Sequence, residues 1–213
     1  AFADDSRSTL GTGLSAARAY LASMSNSGTA GYFAGGRTTG YVTTVDKFAF
    51  PGDGRSTLGT GISTAAYGLA GMANSGTAGY TGGGYTGSRV TTVDKFAFPG
   101  DGRSTLGTGL SDGRNVLAGM ANSGTAGYFA GGYNGSSKVT TVDKFAFSDD
   151  GRTVLGTGLS AATNSPCGMA NTGTAGYFGG GDASGLKTTV DKFAFADDSR
   201  TTLGTGLSSG REG

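Results

Sequence analysis

The apolar and polar residues of this chain recur in one pattern about every 48 residues. The hexapeptide Val-Asp-Lys-Phe-Ala-Phe begins at Val45, Val93, Val142 and Val190, so the steps are 48, 49 and 48 residues. A period of this size is typical of a propeller blade or a solenoid unit. No stretch has an apolar period of 3.6 residues over a helical length, so the pattern predicts strands and no helix.

The second repeat illustrates the strands that the pattern predicts. Tyr67 to Ala73 is a stretch of small and apolar residues, and Thr77 to Gly84 follows it after an Asn-Ser-Gly turn. Val90 to Phe98 is rich in β-branched and aromatic residues, which makes it the strongest strand signal. A Pro-Gly-Asp-Gly turn leads to the last strand, Arg103 to Leu110. Each repeat is therefore predicted to form four short antiparallel strands.

A single sheet of this size cannot bury both of its faces, and stacking neighbouring sheets around an axis solves that problem. We therefore predict an all-β propeller of four-stranded antiparallel blades, with residues 1–213 as one domain. Four blades are favoured, and the alternative is a segment of a larger ring or of a ring with swapped strands. The repeats cover about 16–62, 63–110, 111–159 and 160–207, with a spare outer strand at 1–15.

Glycines that follow an aromatic residue precede each of the strong strands. The motifs are Tyr-Phe-Ala-Gly-Gly from Tyr32 and Tyr128, Tyr-Thr-Gly-Gly-Gly from Tyr80, and Tyr-Phe-Gly-Gly-Gly from Tyr177. In these motifs the chain resembles the kelch repeat, whose second strand ends in Gly-Gly after an aromatic residue. The resemblance covers nearly the whole chain and implies a propeller, with a binding role only by analogy. The fourth-strand Trp of kelch blades is replaced by Leu10, Leu58, Leu106, Leu155 and Leu203.

The presumed innermost strands carry small residues and all four methionines of the chain. Met24, Met72, Met120 and Met169 occupy one repeat position, and we expect them to fill gaps in the core. A low blade number brings the inner strands close together, which requires small side chains. Cys167, the only cysteine, stands where other repeats have Ala, so we expect a small buried residue rather than a nucleophile.

Composition and charge restrict the possible functions. Gly accounts for 44 of 213 residues, but the glycines recur in register with the repeat and therefore indicate turns rather than disorder. The net charge is +1, with no basic stripe for nucleic acid and no basic amphipathic helix for a membrane surface. Because the chain has no His, a Ser-His-Asp or Cys-His arrangement is excluded, and zinc and copper sites are disfavoured. We predict no enzyme activity, cofactor, metal, nucleic-acid partner or membrane partner.

The recurring charged residues have a structural explanation. Turn aspartates such as Asp53 and Asp101 precede Gly between two strands, which is ordinary turn chemistry, although calcium binding is an alternative. Asp and Lys of the hexapeptide are adjacent in a strand and point to opposite faces. We therefore expect these two residues to form pairs between neighbouring blades.

The loops after the glycines are the best binding candidates, because they differ between repeats while the strands scarcely do. Loops held by a rigid scaffold are where binding usually occurs, although unselected variation of solvated loops would look the same. We predict a non-catalytic binding or scaffold propeller that contacts a protein or a carbohydrate. The alternatives are a structural component of a cell or virion surface and, less favoured, a hydrolase. Near-identical repeats can exchange partners between chains, so a monomer or a swapped dimer is expected. The candidate binding residues are Arg37, Tyr41, Tyr85, Arg89, Tyr133, Lys138 and Lys187.

Overall fold

The computed structural model describes residues 7–213. Within these residues the regular secondary structure consists of β-strands, without a helix. The strands form four antiparallel sheets, each paired in chain order, which confirms the predicted all-β architecture of four four-stranded blades. Blade 1 contains β1 (Ala22–Asn26), β2 (Ala30–Ala34), β3 (Val45–Ala49) and β4 (Arg55–Thr57). Blade 2 contains β5 (Ala70–Asn74), β6 (Ala78–Gly82), β7 (Val93–Ala97) and β8 (Arg103–Thr105). Blade 3 contains β9 (Ala118–Asn122), β10 (Ala126–Ala130), β11 (Val142–Ala146) and β12 (Arg152–Val154). Blade 4 contains β13 (Cys167–Asn171), β14 (Ala175–Gly179), β15 (Val190–Ala194) and β16 (Arg200–Thr202).

The strands are shorter than the apolar stretches that predict them. In blade 2 the third strand starts at Val93 rather than Val90, because Thr92 already bonds through its carbonyl to the N–H of Gly83 in the loop. The hairpin between β5 and β6 closes with Gly76 at a φ of 79°, a left-handed conformation that favours glycine. The turns therefore end the strands where the sequence places Asn, Ser and Gly.

The hydrophobic core lies between blades rather than within them. The first cluster combines Met24, Tyr32 and Val45 of blade 1 with Phe96 and Phe98 of blade 2. Two further clusters join blade 2 to blade 3 and blade 3 to blade 4 in the same way. Four blades therefore share three cores, which we call junctions 1–2, 2–3 and 3–4.

The inner strands β1, β5, β9 and β13 pack side by side with almost no room for side chains. A Cβ added to Gly71 would lie 1.9 Å from the carbonyl oxygen of Ser23, and one added to Gly119 would lie 2.2 Å from that of Gly71. Gly168 has the same relation to Gly119, at 2.3 Å. The predicted requirement for small residues at the axis is therefore confirmed.

The arc of four blades is open, because β13 does not pack against β1 within the described part of the chain. Every residue of β13 is exposed. Met24, Met72 and Met120 are buried as predicted, whereas Met169 is 67% exposed. Cys167 is also exposed, so the expectation that it is buried is wrong. The reason is that no further blade within residues 7–213 covers this face of blade 4.

The hexapeptide charges do not pair with each other as expected. Asp94 accepts hydrogen bonds from the amide and hydroxyl of Ser63 and from Thr105 of its own blade. Lys95 instead bonds to Asp150, a turn residue of the next blade, at 2.7 Å. The inter-blade contact therefore belongs to the lysine and to the turn aspartate, while the hexapeptide aspartate holds its own blade together.

The predicted spare strand falls on residues 1–15, of which residues 1–6 lie outside the described residues. Residues 7–15 contain no strand, and blade 4 takes its fourth strand from Arg200–Thr202. Ser15 donates its amide and its hydroxyl to Asp46, as Ser63 does to Asp94.

Candidate functional site

The loops after the double glycines meet the segments that precede the inner strands at one end of every blade. In blade 2, Gly83 and Gly84 have φ values of 71° and 107°, which turn the chain into the loop. Tyr67 and Tyr85 then exchange backbone hydrogen bonds, and Tyr85 also bridges to Arg89. The other three blades repeat these bridges, so each blade places three side chains together at this end. The positions are Ala19, Arg37 and Tyr41; Tyr67, Tyr85 and Arg89; Asn115, Tyr133 and Lys138; and Asn164, Asp182 and Leu186.

Four tyrosines from blades 1 and 2 form one aromatic group, which we call the tyrosine cluster: Tyr20, Tyr41, Tyr67 and Tyr85. The ring of Tyr67 lies 5.9, 5.1 and 5.5 Å from those of Tyr20, Tyr41 and Tyr85, and the Tyr41 and Tyr85 rings are 5.9 Å apart. These are ordinary distances for tilted or edge-to-face aromatic pairs. Tyr20 is 59% exposed and Tyr41 is 36% exposed, so the cluster presents rings to solvent.

Arg89 extends the tyrosine cluster into blade 3. Its guanidinium carbon lies 5.1 Å from the ring centroid of Tyr85 and 4.7 Å from that of Tyr133. Both distances are within the range of cation–π attraction. The hydroxyl of Tyr133 donates to the carbonyl of Gly135, which fixes its ring on the loop. A half-buried guanidinium group thus lies between two aromatic rings at this end of the protein.

Between blades 3 and 4 this end of the protein carries a charged pair rather than an aromatic contact. Lys138 bonds to Asp182 at 2.7 Å and to the carbonyl of Ala183. The hydrogen bond from Lys138, the N–H of Gly185 and the charge of Lys187 together lower the pKa of Asp182 below its usual value. Asp182 is therefore ionised and paired at neutral pH.

The tyrosine cluster borders the opening of the central channel. Around this opening the amides of Gly68, Val116 and Ser165 donate to the carbonyls of Tyr20, Gly68 and Val116 at 2.6–2.8 Å. Tyr20, Val116 and Ser165 have φ values of 49–57°, a left-handed conformation that is costly for such residues. The channel opening has a volume of about 430 Å³. A strained and hydrogen-bonded rim thus fixes Tyr20 beside the other rings.

The structure brings together four of the predicted binding residues, Tyr41, Tyr85, Arg89 and Tyr133, and places Arg37 in the same loop as Tyr41. The amines of the predicted residues Lys138 and Lys187 do not join this group, although the backbone of Lys138 bridges to that of Tyr133.

The amine of Lys138 forms a salt bridge with Asp182. Lys187 is half-buried in a small cleft beside Ser160 and Thr163.

The predicted binding residues do not include Tyr20 and Tyr67, because Tyr67 begins a predicted strand and Tyr20 lies just before the inner strand of blade 1. The signal that could have found Tyr67 is its variation, because the equivalent residues are Ala19, Asn115 and Asn164.

Comparison with known proteins supports the fold and not a function. No family model and no curated protein matches the sequence, so the kelch resemblance rests on its motif residues alone. The fold is similar to the solved structure of YjhT, a β-propeller, with a TM-score of 0.73 at 14% sequence identity. The match covers 92% of this chain and 72% of that chain.

Proposed function

We propose that this chain is a non-catalytic binding propeller that contacts another protein through the tyrosine cluster and Arg89. The observation that carries the proposal is the packing of exposed tyrosines and a stacked arginine in the parts of the repeats that differ. Tyr and Arg are among the residues most enriched at the energetic centres of protein interfaces. Tyrosine has few rotatable bonds, so little conformational entropy is lost when it becomes fixed in a complex.

The orientation of the rings favours a protein over a carbohydrate. Neighbouring rings of the tyrosine cluster are inclined by 37–85°, so they form an uneven surface rather than a flat shelf. An uneven surface of ring edges and hydroxyl groups suits the irregular surface of a folded protein or peptide. Carbohydrate binding, which the sequence leaves open, becomes an outcome of the test.

The charged groups of this end support a binding role rather than catalysis. The carboxylate of Asp182 has a lowered pKa and is paired with Lys138, so it is unsuited to exchange protons near neutral pH. The Lys138–Asp182 pair instead fixes the loops of blades 3 and 4 relative to each other.

The proposal is tested by selecting binders against the folded 213-residue chain from a displayed peptide library, with a glycan array in parallel. We expect selected peptides to lose at least about 30-fold in affinity for Tyr67→Ala or Arg89→Ala, as for an interface centre. Asn164→Ala, which changes the equivalent position of blade 4, is the matched control and should bind normally. Circular dichroism and thermal unfolding check that each variant remains folded.

The outcomes separate the candidate functions. Peptides that bind equally well to Tyr67→Ala and Arg89→Ala would contradict the proposed site. Glycan binding that depends on the same residues, without peptide binding, would replace the protein partner by a carbohydrate. Hydrolysis of an array glycan would contradict the non-catalytic role.

A further inference from the structure

The junctions between blades repeat one set of apolar contacts. At junction 2–3, Met72 of blade 2 covers Gly127 of blade 3 so closely that a Cβ there would lie 2.1 Å from the Met sulfur. The ring of Phe147 from blade 3 stacks on Tyr80 of blade 2 at 5.3 Å. Junctions 1–2 and 3–4 contain the same two contacts, with centroid distances of 5.1 and 5.6 Å.

Each junction also contains one charged contact. The hydroxyl of Tyr80 and the amine of Lys95 both donate to the carboxylate of Asp150 in the next blade, at 2.9 and 2.7 Å. The same arrangement links blade 1 to Asp101 and blade 3 to Asp198. A blade therefore offers Met, Tyr and Lys on one face, and it offers Gly, Phe and Asp on the other.

Blade 4 carries the first of these faces uncovered. Met169 is 67% exposed, and neither Tyr177 nor Lys192 has a side-chain partner among residues 7–213. A cleft of about 260 Å³, lined mostly by apolar atoms, lies beside them between Val190 and Leu207. In blade 2 the apolar equivalents of these residues belong to a core that Phe129 and Phe145 of blade 3 complete. They are Met72, Tyr80, Val93 and Leu110.

Blade 1 carries the complementary face uncovered. Among residues 7–213, a Cβ on Gly31 would meet only Phe50, at 3.3 Å, and no methionine. Phe50 is 42% exposed, whereas its equivalent Phe98 is 7% exposed. Asp53, the equivalent of Asp101, is exposed and has a φ of 54° like that of its counterparts.

We propose that the open face of blade 4 binds the open face of blade 1 of a second copy of this chain, head to tail. Met169 would then cover Gly31, Tyr177 would stack on Phe50, and Lys192 would pair with Asp53. Every one of these contacts already exists three times inside the chain, so the occupant is specified by an established interface. Two such junctions within one pair of copies would cover both open faces of each copy.

Two features of the chain oppose this junction and set its strength. Ser23 stands where blades 2–4 have glycine, and its Cβ would approach the carbonyl of Gly168 as closely as the inner strands approach each other elsewhere. Residues 208–213 also lie on blade 4, where Gly181 donates to the carbonyl of Arg211 as Gly84 donates to that of Arg114. These residues occupy the place that residues 15–20 of a second copy would take.

The first test measures the mass of the native chain by light scattering and sedimentation over a range of concentrations. We expect the mass to rise with concentration from 20.9 kDa towards twice that value. Gly31→Leu should prevent the rise, because its side chain fills the place of Met169, while in the isolated chain its Cβ would meet only the exposed ring of Phe50. Ser23→Gly and deletion of residues 208–213 should each tighten the association, because each removes one opposing feature.

The second test identifies the pairing by charge exchange. Asp53→Lys and Lys192→Asp should each weaken self-association by about tenfold or more, since each places like charges opposite each other. An equimolar mixture of the two variants should associate again, because each mixed junction has opposite charges. Asp197→Lys, an equal charge change at an exposed turn residue bonded to Ser199, is the control and should associate normally.

A chain that remains at 20.9 kDa at all concentrations, also without residues 208–213, would overturn the proposal. Association that is insensitive to Gly31→Leu would overturn it as well. Failure of the mixed charge variants to restore association would exclude the head-to-tail pairing. None of these results bears on peptide binding by the tyrosine cluster, so the two proposals fail separately.

Discussion

Replacing Val154 by Thr should stabilise the protein, because it would complete the hydrogen bonds of a buried carboxylate. Asp143 is fully buried; one carboxylate oxygen accepts from Arg114 at 2.5 Å and from the amide of Ser111 at 3.1 Å. The other oxygen accepts no hydrogen bond from residues 7–213, and the nearest cation, on Arg152, is 3.5 Å away. Val154 lies directly opposite Asp143 in the sheet.

The other three blades have the hydroxyl that blade 3 lacks. A threonine opposite the aspartate donates to it at 2.6–2.7 Å, namely Thr57 to Asp46, Thr105 to Asp94 and Thr202 to Asp191. A hydrogen bond to a charged group contributes about 1.5–3 kcal/mol. Val154 is 46% exposed, so the lost apolar burial offsets only part of this gain. We expect a net gain of about 1–2 kcal/mol.

Thermal unfolding followed by circular dichroism or calorimetry measures this gain. For a chain of this length, 1 kcal/mol shifts Tm by about 2–4 °C, so a gain of about 1–2 kcal/mol should raise the Tm of Val154→Thr by about 2–8 °C. The reverse change in blade 1, Thr57→Val, is the matched control and should lower Tm by a similar amount. The reasoning is refuted if Val154→Thr leaves Tm unchanged or lowers it while Thr57→Val is destabilising.

Three further predictions concern the packing and the buried charges. Burial and a hydrogen bond to an aspartate raise the pKa of Tyr80 and Tyr128 above the usual 10.0. The stability that the protonated tyrosines contribute is therefore complete below about pH 10 and is lost as the pH rises further. Tm measured from about pH 8 to about pH 12 should fall at the alkaline end. Gly71→Ser, which introduces the residue found at this position in blade 1, should destabilise by about 1–3 kcal/mol in urea unfolding, because its Cβ would meet the carbonyl of Ser23; a stable variant would show that the inner strands can separate. Arg114→Ala should cost about 3–5 kcal/mol, because it leaves a buried carboxylate without its cation, and a loss below 1 kcal/mol by the same assay would contradict this.

The blades could be predicted from the sequence because their signals are local. Turn residues and the aromatic strand that starts at Val93 recur in register, and each defines an element without knowledge of distant contacts. The small residues of the inner strands likewise follow from crowding at any propeller axis. The structure adds the reason for Gly71 in particular, which is the approach of one backbone carbonyl to its Cα.

The pairing of charges and the exposure of the last blade could not be predicted, because both depend on how blades stack. Lys95 and Asp150 are 55 residues apart, and the repeat alone does not indicate which aspartate a lysine meets. Cys167 looks like its buried equivalents in sequence, and only the missing neighbour of β13 exposes it. Tyr20 and Tyr67 meet Tyr41 for the same reason, since the cluster spans two blades.

Oxidation of the four methionines tests most directly whether four blades share three cores and leave one face open. Dilute hydrogen peroxide converts exposed methionine to the sulfoxide, and mass spectrometry of the peptides quantifies each site. At a concentration where the native mass is 20.9 kDa, Met169 should oxidise much faster than Met24, Met72 and Met120, which are 3–5% exposed. Equal protection of all four methionines in the folded monomer would mean that the arc closes on itself and would contradict this account.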